Sequence, residues 1–184
     1  ENKIDSIISI GGGSVIDISK IILAFIAPNQ DFHSIVVGKK IPKNPQISHF
    51  SIPTTAGTGS ESTEFAVVYL NKKKYSISAP YLLPNSTILD GELIISNPSF
   101  QRAVNGLDAL AQAIESHWAN GSNEESRSYS RKAIPYLYKN LPKIVFDKAE
   151  KKDYQDLIHA SNLAGRAINI SKTTSPHAFS YAFT

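Results

Sequence analysis

Residues 7–17, Ile7-Ile8-Ser9-Ile10-Gly11-Gly12-Gly13-Ser14-Val15-Ile16-Asp17, have the types and order that meet an anion. An apolar run of β type leads into three glycines and a serine, and helical spacing follows through Ile16, Ser19, Lys20 and Leu23. Glycine lets the backbone turn tightly and come close to a ligand. The start of a helix adds free N–H donors and the positive end of its dipole. Ser14 could cap that helix and offer a hydroxyl as well. The segment is not a P-loop, because no lysine followed by serine or threonine comes after the last glycine. Ile16 also stands where the common dinucleotide fingerprint requires a small residue. By itself the turn suits a phosphate cradle or a plain βα turn of any parallel sheet equally well.

A second segment, Ile52-Pro53-Thr54-Thr55-Ala56-Gly57-Thr58-Gly59-Ser60-Glu61, also follows a strand-like run. Thr54, Thr55, Thr58 and Ser60 offer hydroxyls without bulk, which suits hydrogen bonds to a nucleotide. A polar loop capping a helix that starts near Ser60 would read the same. Two glycine-bearing loops, each after a strand, favour the nucleotide. Farther along, Asp108 and Gln112 are four apart and share a helix face, with Glu115 close to it. His177 follows Pro176 on a later helix. An aspartate, its helical neighbour and a distant histidine could surround one divalent cation, or each could be a surface or capping group. His33, His49, His117 and His159 show no partner pattern, and no side chain is an obvious nucleophile, so no catalytic residue is assigned.

These groups need a scaffold. Residues 7–10 read as a strand and 14–25 as the helix after it. Residues 49–53 read as a short strand ending at Pro53, 65–70 and 75–78 as β-like runs around a turn at Asn71, and 86–90 as a further strand. Beyond Asn97-Pro98 the pattern is helical, with Leu107, Leu110, Ala111, Ile114 and Trp118 repeating at three and four across 106–119. Ser122 with Glu125 fits a capping box opening a helix through Tyr129, Ala133, Ile134 and Leu137, which Pro135 should bend or divide. Asp153 could cap a helix carrying Leu157, Ile158, Leu163, Ala164 and Ile168, and Ser175-Pro176 starts another. The expected fold class is α/β followed by all-α, divided into residues 1–97 and 98–184.

Composition narrows the rest. The chain has 184 residues, 41% hydrophobic and 19% charged, which fits a globular protein. A net charge of +3 and a pI near 9.0 come from scattered lysines. Basic residues run together only in short stretches such as Lys72-Lys73-Lys74 and Lys151-Lys152, so nucleic acid is not indicated, while anionic ligands suit the charge. The absence of cysteine excludes disulfides and thiolate metal sites and is consistent with a reducing compartment, so the expected location is cytoplasmic. No segment approaches the roughly 18–20 apolar residues of a membrane helix, and no signal peptide opens the chain. The lack of any methionine suggests a fragment of a longer protein.

Four motifs stand in register over nearly the whole chain: Gly11-Gly12-Gly13-Ser14-x-x-Asp17, Thr54-Thr55-Ala56-Gly57-Thr58-Gly59-Ser60-Glu61, Gly106-x-Asp108-Ala109-Leu110-x-x-Ala113-Ile114-Glu115, and Pro176-His177-Ala178. Together they resemble the iron-containing (group III) alcohol dehydrogenase family, of which the chain looks like the middle portion. The resemblance implies a partial dinucleotide-binding α/β domain for NAD or NADP. A helical, dehydroquinate synthase-like domain holding a divalent metal, iron or zinc, would follow it. It assigns Gly12, Gly13, Ser14 and Asp17 to the pyrophosphate-binding turn, Thr54, Thr55 and Thr58 to a second cofactor loop, and Lys74 to a lysine that reaches the cofactor. It assigns Asp108 and His177 to the metal, and Gln112 stands where the family usually has a third ligand, a histidine. Losing that imidazole weakens binding of borderline metals; Gln112 either ligates through its oxygen or the metal is lost.

The stretch from Asp108 to Ser116, with Ser122-Asn123-Glu124-Glu125-Ser126-Arg127, resembles a branch containing phosphonoacetaldehyde reductases and a 3-deoxy-octulosonate 8-oxidase, whose substrates are anionic. The implied activity is metal-dependent, NAD(P)-linked interconversion of a small alcohol and aldehyde by direct hydride transfer, in a homo-oligomer without nucleic-acid or membrane partners. A dehydroquinate synthase-like lyase or a polyol phosphate dehydrogenase on the same scaffold is one alternative. A non-catalytic nucleotide-binding protein without metal is the other, and Gln112 keeps it open.

Overall fold

The computed structural model describes residues 4–71 and 73–180. In chain order the elements are β1 (Ser6–Gly11), α1 (Gly13–Phe25), α2 (Phe32–Val36), β2 (Ser48–Pro53), β3 (Phe65–Leu70), β4 (Lys73–Ser78), β5 (Ser86–Thr87), α3 (Ser99–Trp118), α4 (Glu124–Val145), α5 (Lys151–Ser171) and α6 (Ser175–Ser180). β1 and β2 are parallel, with Ser6 opposite Ser48 and Gly11 opposite Pro53, and β5 runs parallel along the other side of β2. β3 and β4 form an antiparallel pair, Phe65 opposite Ser78. This register ends β1 and β2 side by side, so the glycine turn after Gly11 and the threonine loop after Pro53 leave the sheet at the same end.

Two apolar clusters hold the elements. Leu23 and Ala24 of α1 pack with Ile35 and Val36 of α2, Ala66 of β3 and Ile77 of β4. Ala109, Ala113, Ala133, Leu137, Ile144, Leu157, Ile158 and Ala164 join α3, α4 and α5, the alanines allowing close helix approach. The mixed α/β part followed by a helical part is the expected class. No helix among the described residues is long and apolar enough to cross a membrane.

Several boundaries differ from the sequence reading. The strand read over 86–90 pairs only at Ser86–Thr87, and the Asp90 carboxylate accepts from Glu92 N at 2.9 Å to start a 3-10 turn. The loop after Thr58 yields a single 3-10 turn, Ser60–Ser62, instead of a longer helix. α3 begins at Ser99, directly after Pro98, because nothing between there and Gly106 interrupts the helix. The capping box of α4 is Asn123 with Ser126, one residue beyond Ser122 and Glu125. α4 continues through Pro135 and Pro142; its buried Ala133, Leu137, Leu141 and Ile144 outweigh the ~3 kcal/mol a proline costs inside a helix. Glu150 caps α5, and Asp153 stands three residues in, accepting from Glu150 N at 3.0 Å.

His49 is fully buried on β2, with Nε2 2.9 Å from Ser9 Oγ on β1 and Nδ1 without a partner among the described residues. Burial, and secondarily the charge of Lys20, pull its pKa down to about 4. An unfolded histidine protonates near ~6.5, so between these values the unfolded chain binds more protons than the folded one. The stability this residue contributes is therefore complete above about pH 6.5 and is lost as pH falls toward 4. The expected loss from pH 7 to 4 is about 2–3 kcal/mol, and His49→Gln should flatten it. Urea midpoints of both proteins across that range check this; parallel curves would contradict it.

Candidate active site

The glycine turn is shaped by the threonine loop. A Cβ on Gly13 would lie 2.4 Å from Thr58 Oγ1, and one on Gly12 would lie 3.2 Å from Thr55 Cγ2. Thr54 N donates to Gly11 O at 2.9 Å. Only glycine lets the two loops touch in this way. α1 starts at Gly13 with Gly12 as its cap residue, without a side-chain cap and without an acid in the first turn. Ser14 is thus not the cap; it stands exposed at the second helical position because the helix begins one residue earlier than its spacing suggested. The resulting N-terminus keeps its positive end uncompensated, which suits a phosphate.

The threonine loop is fastened from below by a lysine that sequence reasoning missed. Lys20 is fully buried, and its ammonium donates to Ser60 O at 2.5 Å, Thr63 O at 2.7 Å and Phe65 O at 2.9 Å. Asp17 accepts from Ser60 Oγ and, at 3.0 Å, from Val67 N. Its carboxylate therefore ties α1 to this loop and to β3. Gly59, at a left-handed φ of 63°, lets the loop reach α5, where an added Cβ would sit 2.5 Å from Gly165 Cα.

On the helical side, α3 presents Asp108, Gln112 and Glu115 to His177 of α6. Glu115 Oε1 lies 2.5 Å from His177 Nδ1, and Asp108 Oδ1 lies 3.1 Å from Nε2. Gln112 Nε2 donates to Asp108 Oδ2 at 3.0 Å. The bond to Asp108 raises the His177 pKa, against burial and with help from Glu115. Burial pushes Glu115 up, but bonds from His177 and Thr174 bring it below the usual carboxylate range.

The fit to a divalent metal can be tested on these atoms. Gln112 Oε1 is buried and has no partner among the described residues, although an amide oxygen at such a place needs one. A carboxylate–histidine pair such as Glu115–His177 fixes the ring so that its far nitrogen faces a cation. One carboxylate, one amide oxygen and one imidazole make an oxygen-rich donor set that fits a divalent ion. No group of three His, Asp or Glu side chains among the described residues could hold one, so beside Asp108 and His177 the Gln112 amide is the further donor these residues offer.

A cavity of about 540 Å³ joins the two halves, lined by Asp17, Thr58, Lys74, Asp108, Gln112 and His177, with Lys172 and Thr173. Six of the residues weighed for cofactor or metal on the resemblance meet there, together with Ser60 of the threonine loop. Gly12, Gly13, Ser14, Thr54 and Thr55 stand outside its lining, in the adjoining turn and loop. Glu115 had a visible signal, since it is seven residues beyond Asp108 and so near the same face. Lys20 had only its place on the helical stripe with Ile16 and Leu23, and Lys172 had none.

Known proteins match this architecture. The pattern of the iron-containing alcohol dehydrogenase family matches residues 1–91, and that of the C-terminal part of the Fe-containing alcohol dehydrogenase family matches residues 102–184. Long-chain-alcohol dehydrogenase 1 of Geobacillus thermodenitrificans is 31% identical over 98% of this chain and 46% of its own length. Phosphonoacetaldehyde reductase of Streptomyces viridochromogenes is 30% identical over 99% of this chain and 48% of its own. Among solved structures, sulfoacetaldehyde reductase from Bifidobacterium kashiwanohense in complex with NAD+ superposes with a TM-score of 0.92 at 32% identity, over 98% of this chain and 48% of that one. The chain spans about half the length of the curated relatives it matches.

Proposed function

Because the chain belongs to the iron-containing alcohol dehydrogenase family, we propose that it carries the cofactor and metal centre of an NAD(P)-linked alcohol dehydrogenase or aldehyde reductase. The observation that carries this reading is one cavity shared by Thr58 and Lys74 on one wall and Asp108, Gln112 and His177 on the other. In this reading residues 1–97 bind the cofactor and 98–184 the metal. The N–H groups at the start of α1, with Gly12, Gly13 and Ser14, hold the pyrophosphate. Thr54, Thr55 and Thr58 supply hydroxyls, and Lys74 supplies a cation on the cofactor side. Asp17 acts indirectly, holding Ser60 and β3 in place. A bound nicotinamide supplies or accepts the hydride.

Asp108, Gln112 and His177 would hold a divalent cation, iron or zinc, which when bound supplies Lewis acidity to the substrate oxygen. Glu115 keeps the His177 ring oriented, and the Gln112 amide, anchored by its N–H on Asp108, keeps its oxygen free. Phe65, Val67 and Ile168 give the cavity apolar walls that limit water. The substrate is a small alcohol or aldehyde. The names of the phosphonoacetaldehyde and sulfoacetaldehyde reductases support an anionic one. Exposed apolar rows, Ile8 and Ile10 on β1 and Phe100, Val104 and Leu107 on α3, await a cover from the rest of the full-length protein or from a second copy; we place that protein, as a homo-oligomer, in the cytoplasm.

Deuterium carried on the nicotinamide C4 of NADH tests the reaction class in the full protein. Direct transfer predicts label on the carbinol carbon of the product alcohol. A lyase on this scaffold would instead regenerate its cofactor and consume no net NADH, and a non-catalytic nucleotide-binding protein would form no alcohol. Gln112→His tests the metal placement. Zinc affinity, read by calorimetry, should rise about 10–100-fold when an imidazole replaces the amide. An unchanged affinity would remove Gln112 from the metal site.

A further inference from the structure

We propose that Lys172 is a specificity-determining residue that anchors an oxyanion, such as a phosphonate or sulfonate, on the far end of the aldehyde substrate. The inference deepens the anionic-substrate part of the function proposed above and rests on it. Lys172 ends α5 with φ 63° and ψ −179°, backbone space that is essentially reserved for glycine. Packing does not explain a lysine there, since its side chain is 54% exposed. Strain kept at a position without packing need points to the side chain's chemistry.

That side chain is held in place. Its Nζ donates to Asn169 O at 3.0 Å and stands 4.9 Å from the centroid of the Phe65 ring. Glu64 pairs with it as an ion at 3.9 Å, beyond hydrogen-bond reach. The ammonium is therefore positioned while keeping N–H groups for a ligand. Lys172 and Thr173 line the cavity that holds Asp108, Gln112 and His177. The next residue, Thr174, donates its N–H and hydroxyl to Glu115 Oε2 at 2.6 and 2.9 Å. The carboxylate that orients His177 thus also fixes the segment carrying Lys172. The two acids in the cavity are engaged, Asp17 with Ser60 and Val67, Asp108 with Gln112 and His177. Ser60 Oγ also accepts from the buried Lys20 ammonium at 3.3 Å, and that cation offsets the Asp17 charge across the shared hydroxyl, so an incoming anion meets the Lys172 cation with less opposing charge than the two acids alone would set.

Cofactor phosphates share this chemistry, so the test separates the two sources. Lys172→Gly keeps the left-handed backbone and removes the cation; Lys172→Arg keeps the charge. In the full protein, Lys172→Gly should lower kcat/KM for sulfoacetaldehyde about 10–100-fold, mainly through KM, and Lys172→Arg should recover most of it. Acetaldehyde should change less than about threefold, and NADH affinity by fluorescence should stay constant. Relief of strain should raise the Tm of Lys172→Gly by about 2–4 °C. Equal losses for both aldehydes, or a matching loss of NADH affinity, would overturn the proposal. Ethanesulfonate binding to the NADH-loaded protein by calorimetry decides it independently of turnover. Binding lost in Lys172→Gly supports the anchor, and no binding to the parent, or equal binding to both, overturns it. An absence of turnover with every aldehyde would instead sink the functional reading itself.

Discussion

His177→Ala should lower aldehyde reduction by about three orders of magnitude in kcat/KM while leaving NADH affinity within a factor of about three. The size follows from what the residue contributes. Among the described residues it is the only imidazole of the proposed donor set, beside one carboxylate and one neutral amide. Without it the described residues offer two oxygen donors on one helix, Asp108 and Gln112, and a borderline metal binds such a pair weakly. Several kcal/mol of charge stabilisation at the substrate oxygen would go with the ion, and each 1.36 kcal/mol is about tenfold in rate. The cofactor side is built from other elements, β1, α1 and the loop after β2, so its affinity should survive. Glu115→Gln is the graded companion. It keeps the ligands and loosens the ring, so metal affinity should fall about 10–100-fold. Zinc titration together with steady-state kinetics reads both variants. Activity of His177→Ala within tenfold of the parent would place the metal elsewhere.

Lys20→Met should cost about 3–5 kcal/mol of stability. Burial pulls the pKa of this lysine down to about 8, against the opposing pull of Asp17 and Glu61. Its ammonium donates to three backbone carbonyls, of Ser60, Thr63 and Phe65, at the junction of the threonine loop and β3. Methionine keeps most of the volume but donates nothing. Thr63 O then loses its donor, while Ser60 O and Phe65 O fall back on longer bonds from Thr63 at 3.2–3.4 Å, at about 1–3 kcal/mol for each lost charged bond before local relaxation. Asp17 and Glu61 also lose their nearby cation. The threonine loop, which presses Thr58 on Gly13, should loosen, so NADH affinity should fall with stability. Urea unfolding and NADH titration of the same variant check both effects. A loss below about 1 kcal/mol would mean the carbonyls find other partners.

Both loops and the helix carrying Asp108 and Gln112 were legible because their signals are local. Gly11-Gly12-Gly13 and Thr54–Thr58 follow apolar runs, and Asp108 and Gln112 share a helix face by spacing alone. The order of β1, α1, β2, β3 and β4 was equally readable, since short alternating runs there are bounded by Pro, Asn and Gly. Boundaries set by competition were not. Asn123 outcompetes Ser122 as the α4 cap by one residue, and the α4 packing face overrides two prolines. Nor were roles that depend on long-range contact. Lys20 falls by spacing on the same face as Ile16 and Leu23, but its target is not local, and only the register of β1 beside β2 places it beneath a loop forty residues away. Asp17 similarly reads as a phosphate-turn residue, while its oxygens are taken up by Ser60 and Val67. The departure at Gln112 was visible as a residue, but its orphaned oxygen is a property of the packed site.

Removing all metal from the full protein and restoring one ion at a time, while following NADH oxidation with a panel of aldehydes, measures the central claim most directly. The cavity that joins Lys74 to Asp108, Gln112 and His177 predicts no aldehyde-dependent oxidation in the stripped protein and recovery with iron or zinc. Equal rates with and without metal, or no metal-dependent turnover with any aldehyde, would contradict it.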